Sequence, residues 1–554
     1  MKKVMILYLV AFAAMATQAQ SIWVQGADRY TVPKGYDISK ADSIVFRYSQ
    51  MLVHTPDEVL RYTYSREKIM ANDADSSLAF TLEEPENKRV IWKPTTSDNS
   101  YNNDYTNPNS RWCFKHSKES EHFIVYWDKP FGDNPNASTV PSNLRVDVDD
   151  LLQKAEMFYY TNINKLGMAT EGESQVDHYK MIIHILYQDE WLATGSGYDD
   201  KIGALWVNPS TCKPVGSTIG HEIGHSFQYQ VACDHRLNGV GAYTQRGWRY
   251  GFGANASGGN GFWEQCAQWQ SFQDYPSEAF SYHISVWLSN YHRHFNHEWM
   301  RYASYWWPYH LTEKHGYKAF GRLWRESKQP EDPLEAYTRL FCNGSWDTFW
   351  DDYFDYCTKL QNYQFTDVHK YITSMYSARN YKTQMYKCDD DYYQVAYASC
   401  PETAGMNFIQ VNGFKQGEEV TVDFNALTPG DALHASDPGK SWNADPADGA
   451  NASKFTKVTK YNTAGKVADR AFRIAFVAVL SDGTTGGNTV VSEPLSVDAD
   501  GTLTWTVPAK TIRLSLLVVP TPKTYNRHAW DEKDSNDAQW PYRVKFEGCK
   551  PAGL

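Results

Sequence analysis

Between residues 122 and 230 the apolar positions alternate between short unbroken runs and helically spaced stripes. Residues 122–127 read His-Phe-Ile-Val-Tyr-Trp, short and apolar enough for a buried strand. Over residues 146–166, Leu151, Leu152, Ala155, Phe158, Tyr159 and Ile163 recur at three- and four-residue spacing, which predicts a helix with one apolar face, and Gly167 suits its stop. Residues 180–187 are nearly continuously apolar and rich in β-branched side chains, the mark of a strand covered on both faces. Residues 204–207 suit a neighbouring edge strand, and Pro214 opens a helix expected to run to Gln230. Further helices are expected over 262–272 and across the Trp-rich region to Met385. From about Tyr386 the rhythm changes to short runs at 419–424, 472–480, 503–507 and 512–519, punctuated by Gly, Asp and Pro, and this predicts a β-sandwich.

Ahead of residue 106 the pattern is less regular. Ser43 to Phe46 is strand-like, while residues 95–110 are rich in Asn, Asp, Ser and Tyr without an apolar period, which predicts a linker. Lys2 and Lys3, the apolar run from Val4 to Met15 and the small-residue site ending at Ala19 read as a cleaved signal peptide. That run falls short of the ~20 residues a spanning helix needs. The expected organisation is therefore multidomain: a signal peptide at 1–19, a small N-terminal β-rich region and linker at 20–105, a mostly helical α/β domain at 106–385, and a jelly-roll-like β-sandwich at 386–554.

Composition narrows the class of function. The net charge of −11 becomes −13 once Lys2 and Lys3 leave with the leader, which disfavours nucleic acid and anionic membranes as partners. Aromatic residues reach 15%, a surplus that serves either a large core or clefts that stack on sugars and extended chains. Nine cysteines without a CxxC pair indicate neither a cysteine zinc knuckle nor a dense disulfide framework, and their odd number leaves at least one thiol unpaired. Asp389, Asp390 and Asp391 lack the spaced oxygen ligands of a calcium loop and read as a solvated turn.

Chemistry concentrates in His221-Glu222-Ile223-Gly224-His225. On a helix, side chains four apart share a face, so both imidazoles can meet one Zn²⁺ while Glu222 stands beside the position left for water. The plain alternative is a pair of satisfied histidines. Gly224 lowers helix propensity by roughly 1 kcal/mol relative to Ala, which close backbone packing would explain. A catalytic zinc takes a third protein ligand, and Glu264 in Trp263-Glu264-Gln265-Cys266-Ala267 is the best placed, with His235 as its rival. Tyr243, Arg246, Tyr282, His283 and Tyr291 are all candidates for stabilising a developing oxyanion, and none stands out.

His221 to His225 followed by Gln228, with Glu264 in a later Trp-Glu-x-x-Ala helix, resembles the gluzincin superfamily of zinc metallopeptidases. It is similar in particular to the enhancin-like, mucin-directed branch and to a family of exported gut-bacterial proteins. The resemblance covers roughly residues 110–385, although the interval from His225 to Glu264 is longer than in the enhancin-like pattern. It implies a two-lobed α/β zincin fold, zinc held by His221, His225 and Glu264, and Glu222 as general base. The expected function is thus an exported zinc-dependent hydrolase acting on extracellular protein or glycoprotein. A zinc-dependent glycan-acting enzyme and a glycan-binding protein with a relic metal site are the alternatives, and an intact Glu222 weighs against the relic.

Overall fold

The computed structural model describes the backbone of seven strands between residues 21 and 80, and residues 89–553 except 95–103, 171, 238–247, 249–260, 282, 375–379, 445–452, 464–469, 482–486, 529 and 531–532. At 235–237, 373–374, 443–444 and 453–454 only the backbone is described. The signal peptide and most of the expected linker lie outside these residues.

The chain forms two compact units, residues 1–88 and 89–554. In the first, Lys34–Asp37, Ser21–Gln25, Lys68–Asp73 and Ser76–Phe80 make an antiparallel sheet in that order. Ser43–Arg47, Gln50–His54 and Val59–Thr63 make a three-stranded meander. The boundary falls at 88/89 and not at 105/106, because Val90 bridges Tyr179 and the Trp92 indole donates to Asp199 at 2.8 Å, which binds this segment to the second unit.

The floor of the second unit is a five-stranded sheet in the order Ala193–Tyr198, Ile202–Val207, Met181–Ile185, Phe123–Trp127, Ser117–Glu119. Its three central strands are parallel and its two edges antiparallel. The edge expected at 204–207 is an interior strand, and the true edge, Ala-Thr-Gly-Ser-Gly-Tyr, has too little apolar or β-branched character to read as a strand. Its small residues serve proximity: a Cβ on Gly195 would lie 2.1 Å from the Glu222 carbonyl oxygen and 2.8 Å from the His225 Cβ.

Val148–Tyr160 is a helix capped by the Asp147 side chain, which accepts from the Asp149 and Asp150 amides. A π-helical turn, Thr161–Lys165, continues it, and Gly167 leaves it at φ +66°. The helix carrying the histidine motif spans Ser217–Leu237, longer than expected, with Pro214 in the turn before it. It packs against the two strands nearest the small-residue edge and against the helix Gly261–Phe272. Among the described residues the α-helices Ile284–Asn290, Trp307–His315, Lys318–Arg325, Pro333–Phe341 and Trp346–Leu360 follow.

The remaining chain builds two facing sheets. One contains Met385–Lys387, Tyr393–Val395, Tyr542–Glu547, Glu419–Ala426 and Asp500–Thr506 in spatial order. The other contains Asn488–Val491, Phe472–Leu480, Thr511–Pro520, Asn407–Asn412 and Lys550–Pro551. Val420, Val422 and Phe424 meet Ile474, Phe476, Leu514 and Leu516 between them. The second sheet is apolar on its other face as well, where Phe408, Ala475, Val477, Leu517 and Val519 join the core of the helical region. This sheet, buried on both sides, is why residues 89–554 form one unit where two domains were expected.

A buried polar cluster fastens the same junction. His528 lies between Glu298 at 2.5 Å and Asp537 at 2.9 Å. Arg293 reaches Asp534 at 2.8 Å and Glu402 at 3.4 Å. The imidazoles of His294 and His297 flank that of His528 at centroid distances of 5.5 and 4.7 Å. Although His297, Glu298, His528 and Asp537 contain metal-ligand groupings, Arg293 and His528 already supply cations there.

Most of the aromatic surplus is core, including Trp112, Trp269, Trp306, Trp307, Trp324 and Trp540. All nine cysteines carry free thiols. Asp389–Asp391 is an exposed turn, with Asp390 and Asp391 paired to Arg543 and Lys387.

Candidate metal centre

Two helices make the site. Four-residue spacing on Ser217–Leu237 places His221 and His225 on one face, and Gly261–Phe272 carries Glu264 across from them in its first turn. The Nε2 atoms of His221 and His225 each lie 3.0 Å from the same oxygen, Glu264 Oε2. All three groups are buried or nearly so. The two helices come this close because Gly224 faces Ala267: a Cβ on Gly224 would be 3.3 Å from the Ala267 Cα and 3.2 Å from Gln270 Oε1. The glycine that weakens the helix is the one the crossing requires.

The other nitrogen of each ring is already engaged. His221 Nδ1 lies 2.8 Å from Gln268 Oε1, and His225 Nδ1 lies 3.0 Å from Gln228 Oε1. An amide oxygen only accepts, so both Nδ1 atoms carry hydrogen and both Nε2 atoms turn lone pairs toward Glu264. Two nitrogen acceptors and a carboxylate oxygen then converge with no donor among them. Only a cation relieves that arrangement, either protons on the rings or a metal ion held between the two imidazole nitrogens and the carboxylate oxygen. Two imidazoles and one carboxylate suit a borderline divalent ion better than a hard one such as Ca²⁺ or Mg²⁺. The residues present therefore fit a metal of the zinc type. Trp263 stacks on His225 at 5.1 Å and fixes the ring plane.

Electrostatics divide the two glutamates. Burial raises the Glu264 carboxyl, but protons on the His221 and His225 rings, the first of the two cationic alternatives, outweigh it through hydrogen bonds and charge and hold the group well below the usual carboxylate range. Burial pushes Glu222 up to about 7, with the Glu264 charge adding to it, while His221 and the Gly195 N–H pull the other way. The two carboxylates thus differ, one held in its charged form and the other raised by burial toward neutrality.

The structure brings His221, Glu222, His225 and Glu264 together. The His235 side chain, Tyr243, Arg246 and Tyr282 lie outside the described residues. His283 is at the site, since its ring stacks on Tyr302 at 5.8 Å, and burial, followed by the charge of His221, lowers its protonation. Tyr291 is fully buried and bonds Thr383 at 3.1 Å, away from the centre. Tyr302 was not anticipated: its ring is 6.1 Å from that of His221, its hydroxyl interacts with Glu264, and it is 39% exposed. No motif marks it, because it follows a single 3₁₀ turn, Glu298–Met300, far along the chain. Arg301 sits between the rings of Tyr302 and Trp530, 5.9 Å from each.

Fold and geometry together define an α/β and β assembly around a buried two-histidine, one-carboxylate centre able to hold a cation. The chain belongs to DUF6055, a family of unknown function, whose match covers residues 83–553. No curated protein matches it. Among solved structures, the N-terminal endo-1,4-beta-D-xylanase 10B of Clostridium thermocellum, its CBM22-1 and GH10 modules complexed with xylohexaose, is similar at 9% identity over 32% of this chain and 26% of that one, with a TM-score of 0.15. That likeness spans about a quarter of the xylanase chain and bears on neither fold nor function. Among the described residues no helix is long and apolar enough to cross a membrane.

Proposed function

We propose that the protein is an exported zinc metallopeptidase of zincin type, acting on extracellular protein or glycoprotein. The observation that carries this reading is the convergence of His221 Nε2, His225 Nε2 and Glu264 Oε2 beside a buried Glu222 whose carboxyl is raised to about 7. The sequence of its first twenty residues supports export. A bound zinc ion would supply Lewis acidity that polarises a substrate carbonyl and acidifies water. Glu222 takes the proton from the attacking water at its carboxylate and passes it to the leaving amine. Its burial and the Gly195 N–H hold that carboxylate in place. Tyr302, with its hydroxyl at the mouth of the centre, donates a hydrogen bond to the oxygen that gains charge.

Two measurements test the reading. Purified protein should hold about one zinc per chain, and His221→Ala or His225→Ala should lose it, because two remaining ligands make an incomplete site. Stoichiometric zinc retained by both variants would remove the assignment. Digests of casein, mucin glycoprotein and free glycans should give new peptide termini by mass spectrometry. Released sugars without new termini would favour the glycan-acting alternative.

Tyr302→Phe should keep its zinc and the parent KM within a few-fold while kcat falls by about 10 to 10²-fold, the usual loss for one oxyanion donor or somewhat less. An unchanged kcat would remove Tyr302 from the chemistry.

A further inference from the structure

A chain of buried amides leads away from His225. The Phe158 carbonyl accepts from Asn162 Nδ2 at 2.9 Å, and Asn162 Oδ1 accepts from Gln270 Nε2 at 2.5 Å. Gln270 Oε1 accepts from Gln228 Nε2 at 2.8 Å, and the same nitrogen donates to the Trp263 carbonyl at 3.1 Å. Gln228 Oε1 then faces His225 Nδ1 at 3.0 Å. Asn162, Gln228 and Gln270 are each at most 1% exposed, so no bulk water can substitute for a missing link.

An amide has one end that only donates and one that only accepts, and a backbone carbonyl only accepts. Starting from Phe158, every orientation along the chain is therefore forced: each nitrogen must face the preceding oxygen. Gln228 receives the same instruction twice, from Gln270 and from Trp263, and can present only oxygen to His225. We infer that Gln228 is a positioning residue for the metal centre: with Gln270 and Asn162 behind it, it fixes hydrogen on His225 Nδ1 and so dedicates the Nε2 lone pair to the ion. His221 has no such line behind it, for its partner Gln268 is only half-buried.

The relay also accounts for two local features. Asn162 stands in the π-helical turn Thr161–Lys165, and Gln270 reaches Gln228 through the space that Gly224 leaves open. A methyl group at 224 would stand 3.2 Å from Gln270 Oε1. The motif glycine thus serves the polar contact as well as the helix crossing.

The inference rests on the metal-centre reading, and its test separates the two. In metal-free protein labelled with ¹⁵N-histidine, the nitrogen chemical shifts of the neutral His225 ring should place the hydrogen on Nδ1 in the parent. Gln228→Leu should shift it to a mixture with Nε2–H and weaken zinc binding by about 10 to 100-fold in competition with a chelator. Gln228→Glu keeps an acceptor for Nδ1–H but gives up donors to Trp263 and Gln270. It should retain the parent tautomer and zinc affinity while lowering Tm. Gln270→Leu should fall between, since Trp263 still orients Gln228. A parent-like tautomer and zinc affinity in folded Gln228→Leu would overturn the inference while leaving the metal assignment standing. So would equal loss of zinc in Gln228→Leu and Gln228→Glu, because a purely structural role predicts that result. If the parent itself binds no zinc, the metal reading fails, and the tautomer alone then decides the inference.

Discussion

Glu222→Gln should retain its zinc and its fold while peptide hydrolysis falls by on the order of 10² to 10⁴-fold, the range expected when a general base is removed. Glutamine fills the same volume and can still accept from the Gly195 N–H, but it cannot take up a proton. The loss should lie in kcat, because Glu222 belongs to none of the bonds that converge on Glu264. Metal content, Tm and kcat measured on parent and variant side by side make the test. A variant that cleaves as well as the parent would show that Glu222 is not the base. A parent that cleaves nothing and binds glycan no differently from Glu222→Gln would favour the binding-protein alternative.

The second large effect concerns stability. His528→Gln should destabilise the protein by about 3 to 5 kcal/mol, the usual consequence of removing one partner from a buried ion pair. Here the lost imidazolium leaves Glu298 and Asp537 buried and facing each other across its place. Burial by itself disfavours the charged ring, but hydrogen bonds to Asp537 and Glu298 prevail and push His528 up to about 10. A raised folded value means that this stabilisation is complete below the ordinary histidine range near 6.5 and is lost as pH rises through about 10. Glu402 acts in the same direction, since burial, followed by the Asp537 charge, raises it above its ordinary value. The parent should therefore lose Tm between pH 7 and 10 more steeply than His528→Gln does. Parallel curves for the two proteins would remove His528 as the source.

Sequence and structure part company where proximity, and not periodicity, decides. The apolar stripe of residues 146–166 and the motif helix were legible because their spacing is repeated every turn. Glu264 could be singled out because a carboxylate follows two aromatics at the head of a helix. The edge strand Ala193–Tyr198 was invisible because its glycines are there to let the motif helix approach, and they erase the β signal. Tyr302 had no periodic neighbours to mark it. Gln228 and Gln270 looked like ordinary polar helix positions, and only their burial and mutual orientation give them meaning. The run 472–480 was read as a strand but placed in a separate domain. Its near-continuous apolar character is what burial on both faces requires, and that was the available sign that helices would cover it.

That shared sheet has a consequence for biosynthesis. The helical region around the metal centre draws Phe408, Ala475, Val477, Leu517 and Val519 into its core, and the strand Tyr542–Glu547 lies inside the outer sheet, not at its edge. A nascent chain that has emerged only as far as residue 385 carries every proposed zinc ligand yet exposes the apolar surface those later strands must cover. Ribosome-bound intermediates of that length should therefore engage holding chaperones and remain sensitive to protease. An ion bound as proposed is expected to be acquired late, after residues beyond 540 are available, so that metal loading and completion of the fold become a single event.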